Sequence, residues 1–199
     1  MYDKIASRIV NYLHQSNPAL DEADVREASI YGIAISLSTV FNYLLILVIG
    51  VCFHSFFSVV IFSIVFNTLR KYMGGYHCTT YVRCNITFCI IFVLVVALSK
   101  LLCNIINLSL VIMVLLFCGY GIWYWGPVEN IHKPISEKQQ KHCHTIAKIT
   151  YLFIAIGAIM CYILLPYYGL VAVFSLLAVV ILLPIGAAIE RRRRYETEK

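Results

Sequence analysis

The sequence predicts an all-α integral membrane protein with six transmembrane helices, both termini cytoplasmic, and a short amphipathic segment at the N-terminus. Three observations carry that prediction. The first is composition: 61% of the 199 residues are hydrophobic and 13% are charged, where soluble domains carry roughly 25% charged residues. The mean hydropathy is +0.82. A domain of this size still presents much of its surface to its solvent, so that solvent must be lipid. A disordered chain, being polar and charge-rich, is excluded by the same numbers. The second observation is that the apolar residues gather in runs close to the ~20 residues that cross a bilayer. The third is where the cations fall between those runs.

Six runs qualify. They are Ile30–Gly50, Phe53–Leu69, Ile86–Cys103, Leu108–Trp125, Ile149–Leu165 and Leu170–Ile189. Phe53–Leu69 is slightly short. Asn104 and Asn107 mark the turn between the third and fourth. Pro166 stops the fifth, and Pro184 is expected to kink the sixth.

The net charge is +6, and the basic residues test the count of spans independently. They cluster before the first span (Lys4, Arg8, Arg26), between the second and third (Arg70, Lys71, Arg83), between the fourth and fifth (Lys133, Lys138, Lys141, Lys148), and after the sixth (Arg191, Arg192, Arg193, Arg194, Lys199). With both termini inside, 15 of the 16 basic residues are cytoplasmic, and Lys100 alone is not. An odd number of spans would put one cluster outside.

The organisation follows. Residues 1–28 form cytoplasmic or interfacial helices, and residues 29–190 form the membrane domain. That domain carries two cytoplasmic loops, 70–85 and 126–148, and residues 191–199 are a basic cytoplasmic tail. In the first segment Ile5, Ile9 and Leu13 recur at i, i+4, i+8, the stripe of an interfacial helix. Asn17-Pro18 reads as the N-cap and first position of a second helical piece, with Asp21, Glu22 and Asp24 complementing its dipole. A simpler role for both pieces is to anchor the first span. No cleavable signal peptide is expected, because these residues are polar and charged.

The eight cysteines are scattered, with no C-x-x-C pair, which argues against a disulfide framework or a thioredoxin-type redox pair. Cys52, Cys89, Cys103, Cys118 and Cys161 read as small hydrophobes.

The chemistry concentrates in the first cytoplasmic loop, Arg70-Lys71-Tyr72-Met73-Gly74-Gly75-Tyr76-His77-Cys78-Thr79-Thr80-Tyr81-Val82-Arg83-Cys84. A thiolate is a nucleophile, and a nearby imidazole or cation stabilises it. His77 and Cys84 supply such a pair, with Lys71 and Arg83 as further cations. On one straight helix they would share a face but sit about 10 Å apart along the axis, beyond hydrogen-bond reach of ~3 Å. A dyad therefore requires the segment to bend. Gly74 and Gly75 permit unusual backbone angles and could aim amide hydrogens at an oxyanion. The spacing leaves alternatives open. Cys78 competes as nucleophile, His77, Cys78 and Cys84 could hold a metal, and the pair could be unrelated.

In the second loop Pro127 and Pro134 enforce extended or turn geometry. His142, Cys143 and His144 include possible metal ligands, but neighbouring residues diverge on a helix and solvated surface is the simpler reading. Arg191–Arg194 read as an anchor on anionic lipid, or as a site for an acidic partner.

The pattern Arg70-x-x-x-Gly74-Gly75-x-His77-x6-Cys84 resembles that of the accessory gene regulator protein B family, bacterial membrane endopeptidases that mature quorum-sensing peptides. Pro127-Val128, Lys133-Pro134-Ile135 and Leu182-Leu183-Pro184-Ile185 are similar to the family as well, and the resemblance covers nearly the whole chain. It departs at Cys78 and Gly126, where alanine is expected. The resemblance implies that Cys84 is the nucleophile and His77 its base, supported by Arg70 and Gly75. It further implies a small precursor peptide with an acidic C-terminal tail as partner. Cys84 would cleave off that tail through a thioester, and a thiol or hydroxyl of the peptide would close a thiolactone or lactone. No cofactor, no metal and no nucleic acid is expected. The lipid bilayer is the surrounding partner, and a homodimer is left open. The competing readings are a small transporter or a membrane assembly partner without covalent chemistry. Against transport, the spans carry almost no ionisable residues, with His54 and Lys100 only at their ends.

Overall fold

A computed structural model describes residues 2–14, 23–73, 81–125 and 137–197. Among the described residues the regular structure is all helix, joined by short turns, with no strand. The helices are α1 (Tyr2–His14), α2 (Ala23–Cys52), α3 (Phe56–Met73), α4 (Tyr81–Leu102), α5 (Leu108–Trp125), α6 (Glu137–Leu164) and α7 (Pro166–Thr197). Six of them, α2 to α7, are long and apolar enough to cross a membrane, in agreement with the six runs in the sequence. In hydrocarbon a helix is the economical backbone state, because it satisfies its own hydrogen bonds. Side chains such as Val48, Leu116, Phe153 and Leu164 lie exposed on the helices, where acyl chains are their natural solvent.

Several helices outrun their apolar cores. At 1.5 Å per residue, α2, α6 and α7 are each roughly 42–48 Å long, against a hydrocarbon layer of about 30 Å. The polar residues Lys138 to Lys148, expected as loop, are the first turns of α6. The run Arg191–Arg194 continues α7 as helix. α7 also runs on through Pro184.

The chain divides into two compact units. One comprises Met1–Ile49 with Cys78–Cys89, the other Gly50–His77 with Ile90–Lys199.

In the larger unit α7 packs against α3, α5 and α6, and α6 also packs against α3 and α5. Leu170, Val173, Leu176, Val180 and Leu183 of α7 are buried. Small residues let the backbones close up, as membrane helices require. A Cβ at Gly121 of α5 would lie 2.5 Å from Val180 Cγ1, and one at Gly169 of α7 would overlap the backbone nitrogen and Cα of Tyr162 in α6. Backbone cannot rotate away as a side chain can. Gly169→Ala is therefore expected to force α6 and α7 apart and to cost about 1–3 kcal/mol, the usual range for overpacking. A lower midpoint in a thermal-inactivation series in detergent checks this; an unchanged midpoint would show that the hairpin gives freely.

The turns of this unit have identifiable causes. α2 ends with the Ser55 amide on the Gly50 carbonyl (2.7 Å) and the His54 amide on Val51 (3.0 Å). His54 takes the left-handed position, φ 49°, that usually goes to glycine at a helix C-terminus. Lys100 Nζ donates to the Phe53 carbonyl at 2.7 Å and closes the same turn. Asn107 Oδ1 accepts from the Leu110 amide at 3.0 Å, which makes it the N-cap of α5. Pro166 opens α7, where its missing N–H costs nothing.

In the smaller unit α1 lies with one stripe turned inward. Tyr2 and Ala6 pack in a cluster with Ala34 of α2, flanked by Ile30, Ile33, Leu37 and Tyr81. Val10 is buried too. Arg26 Nη2 donates to Asn11 Oδ1 at 2.6 Å and joins α1 to α2. The predicted stripe of Ile5, Ile9 and Leu13 faces outward with Tyr12, as an interfacial helix would present it to lipid. The expected second piece begins at Asn17-Pro18, outside the described residues. From Ala23 onward the chain is already α2, so the proposed boundary at residue 28 falls within a helix.

Candidate active site

α3 ends in two cations, Arg70 and Lys71. Positive charge at a helix C-terminus is favoured by the aligned peptide dipoles, which explains part of their presence structurally. Arg70 is half-buried, its guanidinium 5.5 Å from the centre of the Phe66 ring. Lys71 is exposed, its Nζ 5.8 Å from the Tyr72 ring. Gly74, Gly75, His77 and Cys78 lie outside the described residues.

α4 opens with Tyr81, so Arg83 and Cys84 belong to its first turn and not to a loop. The predicted loop 70–85 thus holds the last turn of α3 and the first of α4, with residues 74–80 connecting them. Apolar helices on both sides extend into it because an intrahelical hydrogen bond is cheaper than an open backbone near lipid. Arg83 is exposed and Cys84 half-buried. The described helix begins between His77 and Cys84. Cys84 is its fourth residue, close to the end of the helix that favours negative charge. A thiolate, or an oxyanion formed beside it, is well placed at such a terminus.

The residue that sequence reasoning missed is Asn85. It is 6% exposed. Its Oδ1 accepts from Ser38 Oγ of α2 at 3.2 Å, and its Nδ2 reaches Tyr2 Oη of α1 at 3.5 Å. The available signal was an amide side chain next to Cys84 at the head of an apolar span.

On α6, His144 Nε2 meets the Ile122 carbonyl at 3.0 Å. That carbonyl is one of the last four of α5, which have no acceptor role within their own helix, so His144 caps α5. Lys148 Nζ stands 5.1 Å from the centre of the Trp123 ring. His142 is exposed, and Arg191 and Arg192 are exposed on α7. Among the described residues no group of three metal-ligating side chains converges.

Residues 6–183 match the family described as Accessory gene regulator B. The chain belongs to the accessory gene regulator B family. The matched segment contains all of Arg70–Cys84 and reaches Leu183 of α7. No curated protein matches the chain, and no solved structure matches it. Membership in the accessory gene regulator B family supports a role in quorum-sensing peptide processing, and the six apolar helices make the chain a multi-pass membrane protein.

Proposed function

We propose that this chain is a membrane cysteine endopeptidase of the bacterial cell membrane, which cuts the C-terminal tail from a small precursor peptide and promotes closure of the remaining peptide into a thiolactone or lactone. The supporting observation is the family match across residues 6–183, which includes Cys84 on the first turn of α4.

The steps follow from the chemistry of the residues. His77 takes the proton of the Cys84 thiol, and the thiolate attacks the carbonyl that joins peptide to tail. The C–N bond breaks, His77 returns the proton to the leaving amine, and the peptide is left as a thioester on Cys84. A thiol or hydroxyl within the peptide then attacks the thioester carbonyl, closes the ring and releases Cys84 as thiol. Thiol–thioester exchange is nearly balanced in energy, so a cysteine nucleophile suits thiolactone closure, whereas a serine would have to pass uphill from ester to thioester. Water must be kept from the acyl-enzyme, and a site at the membrane surface helps exclude it. Gly74 and Gly75 leave the backbone free to direct amides toward the oxyanion. Arg70, Lys71 and Arg83 supply positive charge close in sequence to the nucleophile.

In this reading the active-site connection and both termini are cytoplasmic, because that places 15 of the 16 basic residues inside. Impermeant thiol labelling of intact cells is expected to leave Cys84 and Cys143 unmodified until the membrane is opened. Efficient labelling from outside would reverse the topology. Purified protein in proteoliposomes, given the precursor, is expected to release the tail as a separate peptide. Precursor that crosses the bilayer uncut would replace this reading with transport.

A further inference from the structure

We propose that Asn85 is a positioning residue for Cys84, held by Ser38 of α2 and Tyr2 of α1, so that the N-terminal helix fixes the catalytic turn. The inference rests on Cys84 being the nucleophile.

The observations are geometric. Asn85 is buried, and both ends of its amide are engaged: Oδ1 accepts from Ser38 Oγ at 3.2 Å, and Nδ2 reaches Tyr2 Oη over a long 3.5 Å. Ser38 is itself 6% exposed and Tyr2 8%. Four residues earlier on the same face of α4, the Tyr81 ring meets Tyr2 edge to face, with centroids 5.6 Å apart and planes at 74°. One turn further along, Cys89 Sγ faces Asn42 Oδ1 of α2 at 3.9 Å. The first turn of α4 is thus gripped at Tyr81 and at Asn85, and Cys84 lies between them in the chain. Successive helical residues are about 100° apart, so Cys84 stands about 100° round the helix from Asn85 and about 60° from Tyr81. With its amide committed to α1 and α2, Asn85 acts on Cys84 through the helix backbone and is not a third member of a dyad.

The grip matters because the terminal turn of a helix has few backbone bonds of its own. Without an external hold it frays, and the attacking sulfur wanders. Misplacing a reacting group by about 1 Å can cost about 100-fold in rate. α1 is suited to be the hold. Its inner stripe carries Tyr2 and Ala6, and its outer stripe of Ile5, Ile9, Tyr12 and Leu13 is exposed for lipid. A helix seated in the interface provides Tyr2 with a fixed platform.

The test is steady-state cleavage of the precursor in proteoliposomes by Asn85→Ala, Ser38→Ala, Ser38→Thr and Tyr2→Phe, with Cys84→Ala in the same assay. Asn85→Ala is expected to lower kcat at least tenfold with KM within twofold. Ser38→Ala is expected to lower kcat severalfold, and Ser38→Thr, which keeps the hydroxyl, to restore most of it. Ser36→Ala is the control, because the Ser36 hydroxyl bonds the Gly32 carbonyl of its own helix at 2.9 Å; its rate should match the parent. If Asn85→Ala fails to accumulate, Tyr2→Phe carries the test, since it removes only the hydroxyl and keeps the ring contact, and a fall in kcat is again expected. An inactive Cys84→Ala alongside parent-like kcat in Asn85→Ala, or in both Ser38→Ala and Tyr2→Phe, overturns the positioning role alone. An active Cys84→Ala overturns the proposed reaction, and this inference with it.

Discussion

Replacing Cys84 by alanine is expected to stop precursor cleavage altogether while the protein accumulates at its normal level. The sulfur is the only atom of that side chain that can hold the acyl group, so its removal leaves no covalent route. Cys84 is half-buried at the start of α4, and alanine, the best helix former, is readily accepted there. His77→Ala is expected to slow cleavage by about 10²–10⁴-fold, the usual contribution of a positioned general base. Cys84→Ser should also be far slower, because an alkoxide is harder to form and the ester it makes lies below a thioester. Cys78→Ala should keep most of the activity. The measurement is tail release by mass spectrometry, with abundance followed by immunoblot. An active Cys84→Ala together with an inactive Cys78→Ala would move the nucleophile to Cys78. Full function in Cys84→Ser would favour transport.

Neutralising the acidic residues of the precursor tail is expected to weaken its binding by roughly 3- to 150-fold and to leave the rate within the bound complex nearly unchanged. The charges available near the proposed nucleophile in sequence are Arg70, Lys71 and Arg83, of which Lys71 and Arg83 are exposed. An exposed pair contributes about 0.2–1 kcal/mol by itself, so three together reach about 0.6–3 kcal/mol, which sets the expected range. Encounter is steered by the same field. The effect must therefore shrink with salt, because the screening length falls from about 10 Å at 0.1 M to about 3 Å at 1 M. Arg191–Arg194 should matter less, since they extend α7 beyond the last span, far in sequence from the proposed nucleophile. Cleavage at subsaturating precursor, measured at low and high salt with native and neutralised tails, checks this. Rates that ignore both salt and tail charge would remove the electrostatic part, and recognition would then rest on apolar contacts with the precursor's leader.

The crossings were legible because hydropathy is a local property when lipid is the solvent. Each apolar run becomes its own hydrogen-bonded helix whatever it packs against. For the same reason Asn107 was legible as part of a turn and Pro166 as the stop of a span, although the structure adds that they begin α5 and α7. The ends of the helices were less legible. Lys138–Lys148 and Arg191–Arg194 are hydrophilic, and hydropathy marks where the hydrocarbon ends, not where the helix does.

The sequence alone therefore determined the membrane class, the six apolar helices and the clustering of basic residues between them. The tertiary structure decided which faces meet. Nothing in the periodicity of α1 says that Tyr2, Ala6 and Val10 turn inward while Ile5, Ile9 and Leu13 stay outside, because both stripes are apolar and only the partner surface discriminates them. Nor does the sequence tie Asn85 to Ser38, 47 residues away, and to Tyr2, 83 residues away. A buried polar side chain must find its complement wherever the fold brings one, and that pairing is made by the packing of α1, α2 and α4, not by any spacing along the chain.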